Sequence, residues 1–524
     1  MAEKFTIRID SVLGGETSFK YFSKNEGQFT KSLGIDPDME ATVGDNTASG
    51  FLVPVPSTKI SSATITAEPL WQVTNPKDEL VYVYDQSGKV YSVDLSTYTV
   101  TALNSGNALS SASGNGAAYY DNYIYFAKNA DICRYGPLNG AVGFTENYWT
   151  SSLSLTAPTN TTYPAIKIGT SKVPNHPMHV HVDDKLYFGD VTSGNLGIVS
   201  YIKTSKASVE GDTNNGSTYN ALDLGQGIWP TALESYGTDL VIAGFEGSVS
   251  SGRSVGKKAK LYFWDTIGSS FQKEVELPDP LCSALLNVNG ILYAFTGNPG
   301  DSGVRVLRFI GGYTFEEVGY LEDSQPPFEG AVASVMGKVL FGGYSTSMGD
   351  FGCLYALGSK VSGVSTGLFT PMRATATTGT GTGVLSIAIP ENTNLTDTQY
   401  FLGWRDGTNF GIDRNATTYG NAKFISGTFR IGKPFVVEEV HIPLAQAVAA
   451  NMNVIVKIVA DQGSTSTTMG TINSTNYSGS ERNIYLRQTA YGKHDLYLDL
   501  RWTSASTSLL SIGLPITISG EYIE

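Results

Sequence analysis

The chain has 524 residues, of which 41 % are apolar and 16 % charged, with 58 Gly and 29 Tyr. That apolar content supports a sizeable core and excludes wholesale disorder, while the glycine and tyrosine excess is the signature of turn-rich strands rather than helices. A formal charge of −13 disfavours a nucleic-acid-gripping surface, and no apolar run reaches the 18 residues of a membrane-spanning helix.

Residues 1–50 read as an extended N-terminal arm. KFTIRID (4–10) alternates like a short edge strand, and the glycine-spaced stretch after it reads as loop. Ordering such an arm costs about 1–2 kcal/mol per residue, so packing against a neighbouring chain is the expected use of it. The N-terminus lacks the apolar core of a secretory signal.

Residues 51–377 carry a recurring turn signal that opens a pair of strands. The turns are Pro76-Lys77-Asp78, Asp121-Asn122, Asp183-Asp184, Gly237-Thr238-Asp239, Asn289-Gly290 and Gly337-Lys338. After them come LVYVYD (80–85), YIYFAK (123–128), LYFGD (186–190), LVIAGF (240–245), ILYAFTG (291–297) and VLFGGY (339–344), each followed by a second apolar strand. A period of roughly 50 residues made only of strands predicts a β-propeller blade. Six blades are counted directly, and 139–175 or 51–75 leaves room for a seventh. FLVPVP (51–56) and ATITAEPLWQV (63–73) are candidates to close the ring. The long polar segments 139–175, 203–227 and 246–258 are expected to be surface loops that meet another surface.

From 378 the period stops. TGTGTGV (378–384) reads as a linker, and eight candidate strands between 384 and 522 predict a jelly-roll-like β-sandwich over 378–524. Leu444–Met452 favours one or two helical turns.

The sharpest polar constellation is NHPMHVHVDD (175–184). His179 and His181 share one side of a strand, with His176 close by, so the trio is a candidate half-site for zinc or nickel. The competing expectation is a polar lining of the propeller's central channel. Glu234, Asp239 and Glu246 are the acids that could serve a glycosidase. Trp404 and Arg405 in GWRDG (403–407), and Tyr119 beside the second turn, are candidate contact residues for a sugar or protein. The three cysteines, Cys133, Cys282 and Cys353, are too sparse for a disulfide framework and read as buried. Walker, Gly-x-Ser-x-Gly and His-Glu-x-x-His elements are lacking, so the expectation is a non-enzymatic chain without cofactor.

Two passages resemble structural proteins of tailed bacteriophages. They are GGYTFEEVGYL (311–321) with VNGILYAFTG (288–297), and FRIGKPFVVEEVHIPLAQAVAANMNVIVKIVADQGSTSTTMGTI (429–472). The resemblance implies a virion component of the tail, neck or nozzle, assembled in the host cytoplasm as a cyclic homo-oligomer against other virion proteins, past which DNA slides without specific binding. It transfers no catalytic residue. Two other readings compete: a carbohydrate-binding host-recognition module, and a polysaccharide hydrolase.

Overall fold

The computed structural model describes the chain apart from residues 1–2, 17–26, 38–40, 44–45, 49, 56–57, 60–64, 76–78, 111–115, 129–130, 158–166, 169–170, 173–175, 204–215, 247–248, 251–252, 255–256, 300–301, 347–350, 359–366, 375–380, 392–398, 416–420, 478–480, 504–509 and 524. The first turn signal, at 76–78, therefore lies outside the described residues.

The other five turns sit where the sequence marks them, because they need backbone that only a few residues adopt. Asn122, Asp184, Gly237, Asn289 and Gly337 all have left-handed φ, between 52° and 77°. Gly tolerates that region freely, and Asn or Asp does so through its short polar side chain. Each turn joins the innermost strand of a blade to the second.

Six blades are antiparallel four-stranded sheets running outward in chain order. Their innermost strands are Pro69–Thr74 (I), Ala117–Tyr120 (II), Met178–His181 (III), Ile228–Tyr236 (IV), Leu281–Val288 (V) and Val332–Val335 (VI). A seventh blade consists of Thr382–Ala388, Phe401–Asp406 and Asn409–Arg414, with Thr58–Lys59 as its outer strand. Its inner strand lies between those of blades VI and I, which completes the ring. The expected boundary at 377/378 thus gives way: VLSIAIP and the YFLGW of the following strand are blade VII. The ring is closed by residues 58–59, whereas Phe51–Pro54 pairs with Ile35–Asp36 and Ile512–Gly513.

Most of the remaining strands form two larger sheets around one core. One sheet runs Lys4–Ile9, Ile516–Tyr522, Phe435–Pro443, then Asn483–Leu486 with Ala490–Gly492; the other includes Gln28–Leu33, Ala422–Ser426, Asp495–Trp502, Asn453–Ala460 and Thr465–Asn473. Phe435, Val440 and Ile518 of the first sheet share a buried cluster with Phe29, Val456 and Leu498 of the second. The alternating burial of Asn453–Ile458 is the pattern of a strand with one face in that core.

The described part of the N-terminal segment is consequently no free arm. Lys4–Ile9 pairs over its whole length with Ile516–Tyr522, and Gln28–Leu33 pairs with Ala422–Ser426. An isolated strand leaves its backbone groups unpaired, and burying Ile9 and Phe29 in the two-sheet core offsets the ordering cost. Leu444–Met452 forms no helix; Leu444 instead bridges to Ile512.

The two-sheet unit is continuous with the propeller. Leu340, Leu354 and Phe369 of blade VI and Val384, Ile387 and Leu402 of blade VII belong to the same apolar cluster. Lys31 reaches from the second sheet to the Tyr355 hydroxyl at 3.1 Å and lies 4.3 Å above the Phe351 ring.

Candidate functional site

All seven blades contribute to an apolar plug that fills one end of the central channel. Leu70, Ala117, Val191, Trp229, Leu281, Phe328 and Leu385 represent blades I to VII in order, with Phe328 coming from the segment that precedes blade VI. The turn Glu329–Ala331 continues that segment into the channel. Its Gly330 sits so close to blade I that a Cβ would fall 2.2 Å from the Leu70 carbonyl oxygen. Only glycine fits there.

Beyond the plug, toward the turn ends of the inner strands, the channel lining becomes polar. His179 Nε2 lies 2.7 Å from Ser235 Oγ, and His181 Nδ1 lies 2.8 Å from the same oxygen. Alternation along Met178–His181 turns both rings toward blade IV, as the sequence spacing requires. His181 Nε2 is 3.1 Å from the Thr238 carbonyl, which can only accept. That nitrogen therefore carries the proton, leaving Nδ1 to accept from the Ser235 hydroxyl. Ser235 in turn accepts from His179 Nε2–H. One proton order satisfies the whole relay.

Burial pushes His179 down to about 4, with His181 as the second cause, and burial lowers His181 as well. Both rings are neutral at pH 7. His179 Nε2 also lies 3.5 Å from Glu234 Oε1, and the Glu234 side chain is 15 % exposed. Burial pushes Glu234 up to about 7, against the N–H groups of Ser235 and Asn287 that hold its charged form. Asn287 of blade V ties the assembly sideways by donating to the Ser235 carbonyl at 2.7 Å.

A second acid completes the group. The Leu233 N–H donates to Glu329 Oε1 at 3.2 Å, and Glu329 Oε2 is buried without a hydrogen-bond partner among the described residues. Burial raises Glu329 well above the ordinary carboxyl value, and Glu234 adds repulsion. This residue was not singled out from sequence; its only signal was an acid in PPFEG (326–330), between a diproline and a glycine.

Other sequence candidates disperse. His176 lies deeper, with Nδ1 donating to the Gly189 carbonyl at 3.1 Å and 3.6 Å from Asp190, so the three histidines do not converge. No group of three or more His, Cys, Asp or Glu that could hold a metal occurs among the described residues. Glu234, Asp239 and Glu246 do not converge either. Asp239 and Glu246 are the two ends of one strand, Asp239–Glu246, about 23 Å apart at 3.3 Å per residue. Glu246 pairs instead with Lys257 and Lys260.

Trp404 is no surface platform. It is 1 % exposed in blade VII, donating from Nε1 to Asp413 Oδ1 at 2.9 Å. Arg405 is held by Glu68 and by the Gly407 carbonyl. Tyr119 is half-buried on the inner strand of blade II, packed against the plug. The cysteines are fully buried, one each in blades II, V and VI.

Chemically, the arrangement sets two carboxyls whose burial favours the protonated form beside an uncharged imidazole–hydroxyl relay.

No family model matches the chain, and no curated protein matches it. Among solved structures it is similar to the Dos1 propeller, at 9 % identity and a TM-score of 0.43 over 69 % of this chain and 94 % of that one. The WD40 domain of Neurospora crassa Pan2 gives 11 % and 0.40 over 69 % and 95 %. The β-propeller domain of Myceliophteria thermophila Cps50 (Swd1) gives 11 % and 0.38 over 68 % and 99 %. These are likenesses of fold alone, and the blade assignment rests on the strand pairing.

Proposed function

We propose that this chain is a non-enzymatic interaction scaffold without cofactor, and specifically a structural subunit of a phage virion. In this reading it assembles as a cyclic ring or tube in the tail or neck and contacts neighbouring virion proteins. The two-sheet unit serves as a jelly-roll-like sandwich that stiffens the blade VI–VII side.

One observation carries the scaffold reading. In a four-stranded antiparallel blade, the first and third turns lie at the same end. Val142, Val182, Ile267, Ile310, Tyr313 and Met336 all lie at those turns, on one face of the ring, with Val180 and Ile291 beside them. Ile267 is 90 % exposed and Tyr313 73 %. Among the described residues, none of the exposed large apolar side chains lies at the opposite face of the propeller. Single exposed apolar residues are ordinary, but eight gathered on one face mark a surface that another molecule covers. The virion assignment adds the resemblance of 288–297, 311–321 and 429–472 to tailed-phage proteins.

The test is the solution mass of the purified chain with negative-stain images, repeated on Ile267→Asp/Met336→Asp. Rings or tubes that the double variant dissociates support the proposal. A monomer that also fails to join purified tail or neck components of a phage encoding it would overturn the virion reading.

A further inference from the structure

Lys273 opens the outer strand of blade IV, Lys273–Glu276. Its Nζ lies 4.5 Å from the centroid of Phe263, 4.5 Å from that of Phe309 and 5.0 Å from that of Tyr313. Rings from two adjacent blades therefore surround one ammonium. Tyr236, at the channel mouth, backs the cluster edge-on, 6.3 Å from Phe263 and 5.5 Å from Phe309.

The ring faces attract the cation but occupy none of its three N–H donors in a strong hydrogen bond. Among the described residues no carboxylate lies within ion-pair distance of Lys273, and its side chain makes no hydrogen bond. Asp239 acts on it only through its field. Other acids on the outer strands of blades IV and V are already taken: Glu274 by Lys260 at 2.7 Å, Glu276 by Lys258 at 3.0 Å, and Glu316 by Arg308 at 2.5 Å. In a chain with 48 acids and 35 bases, a half-buried lysine without an acid is a cation held back from its own surface. Ile310 and Tyr313, 58 % and 73 % exposed, lie in the same region of blade V.

We infer that the junction of blades IV and V is an anchor site for a carboxylate side chain of a protein partner, flanked in that partner by apolar residues. The ammonium supplies the charge-assisted hydrogen bonds, and the surrounding rings exclude water from them. A protein fits better than a saccharide, because of the eight large apolar side chains exposed on this face only Tyr313 is aromatic among the described residues, which leaves a sugar ring a single stacking platform. The inference rests on the reading of this face as an interaction surface and adds the chemistry of what reaches it.

The probe is an array of nonapeptides of Leu, Ile, Tyr and Ser around a central Glu, with matched sets carrying central Gln or Lys. The full chain should be retained on the Glu set about five-fold more than on the Gln set, with retention falling as salt rises. Lys273→Gln should abolish that preference, Lys273→Arg should keep it, and Tyr313→Ala should weaken it, each with an unchanged thermal midpoint. Equal retention of Glu and Gln sets, or a preference that survives Lys273→Gln, overturns the anchor. Rings in the mass measurement without a Glu preference sink the anchor alone. A Glu preference in a chain that never assembles sinks the virion reading and leaves the anchor standing.

Discussion

Leu233 and Glu329 belong to blades IV and VI, yet the Leu233 N–H donates to Glu329 Oε1 at 3.2 Å. The bond joins segments two blades apart, so the turn seated against Leu70 of blade I is also fastened to blade IV. Its acceptor is a carboxyl whose other oxygen is buried without a partner among the described residues. Protonation of that carboxyl and the seating of the stopper are thereby one question.

Stability should fall with pH through this group. Burial holds the Glu329 proton in the folded chain after the unfolded chain has released it. The contribution is therefore full below the ordinary value near 4.5 and is lost as pH rises through the folded value. Glu234, pushed up to about 7, acts the same way across the window from 4.5 to 7. Glu329→Gln should raise the thermal midpoint more at pH 8 than at pH 5. A uniform shift at both would rule the protonation account out.

The imidazole beside them works in the opposite direction. His179 is lowered from 6.5 to about 4, so the unfolded chain binds the extra proton first and stability is lost as pH falls across that window. His179→Gln, which keeps a donor for Ser235, should flatten this acid limb. Because Glu234 opposes it between 4.5 and 6.5, the flattening should be cleanest in a Glu234→Gln background. Urea midpoints between pH 4 and 7 measure it, and an unchanged acid limb would count against a buried neutral ring.

Gly330→Ala should cost about 1–3 kcal/mol, because the added methyl meets backbone that cannot turn aside. Denaturant unfolding reads the loss directly. A neutral variant would mean that the stopper is not seated against Leu70.

Phe29→Ala should cost about 3–5 kcal/mol, since its ring is 2 % exposed and packs 5.3 Å from that of Phe424. A free arm would lose nothing measurable. The same unfolding curves decide between the two.

The three thiols should stay silent in the folded protein. Burial pushes Cys133 and Cys353 up to about 12 and raises Cys282 as well, so thiolate is scarce and shielded at pH 8. A chromogenic disulfide reagent should label none of them until denaturant is added. Rapid labelling of any one would show a breathing blade.

The legible parts of this molecule were the local ones. Asn122, Asp184 and Asn289 could be read as turn residues because left-handed backbone selects their side chains. The same is true of His179 and His181, whose shared direction follows from strand alternation. Blade VII escaped notice because its first two strands, Thr382–Ala388 and Phe401–Asp406, stand twelve residues apart in the sequence, and its fourth strand is Thr58–Lys59. The strands Lys4–Ile9 and Gln28–Leu33 looked unattached for a related reason: their partners lie hundreds of residues downstream. Glu329 meets Glu234 only through ring closure, which no local pattern records.

The pairing of Thr58–Lys59 with Asp413–Arg414, and of Lys4–Ile9 with Ile516–Tyr522, dictates the order in which the molecule can be finished. During synthesis Lys4–Ile9 and Thr58–Lys59 leave the ribosome well before these strand partners, and wait while six blades are made. The circle locks only after residue 414 has emerged, and the first strand finds its mate only with residue 522. Such long-range closures make for slow folding, with exposed strand edges persisting through elongation. The two seams thus wait on residues 409–414 and then on 516–522, and a nascent protein halted before residue 409 would be open at both.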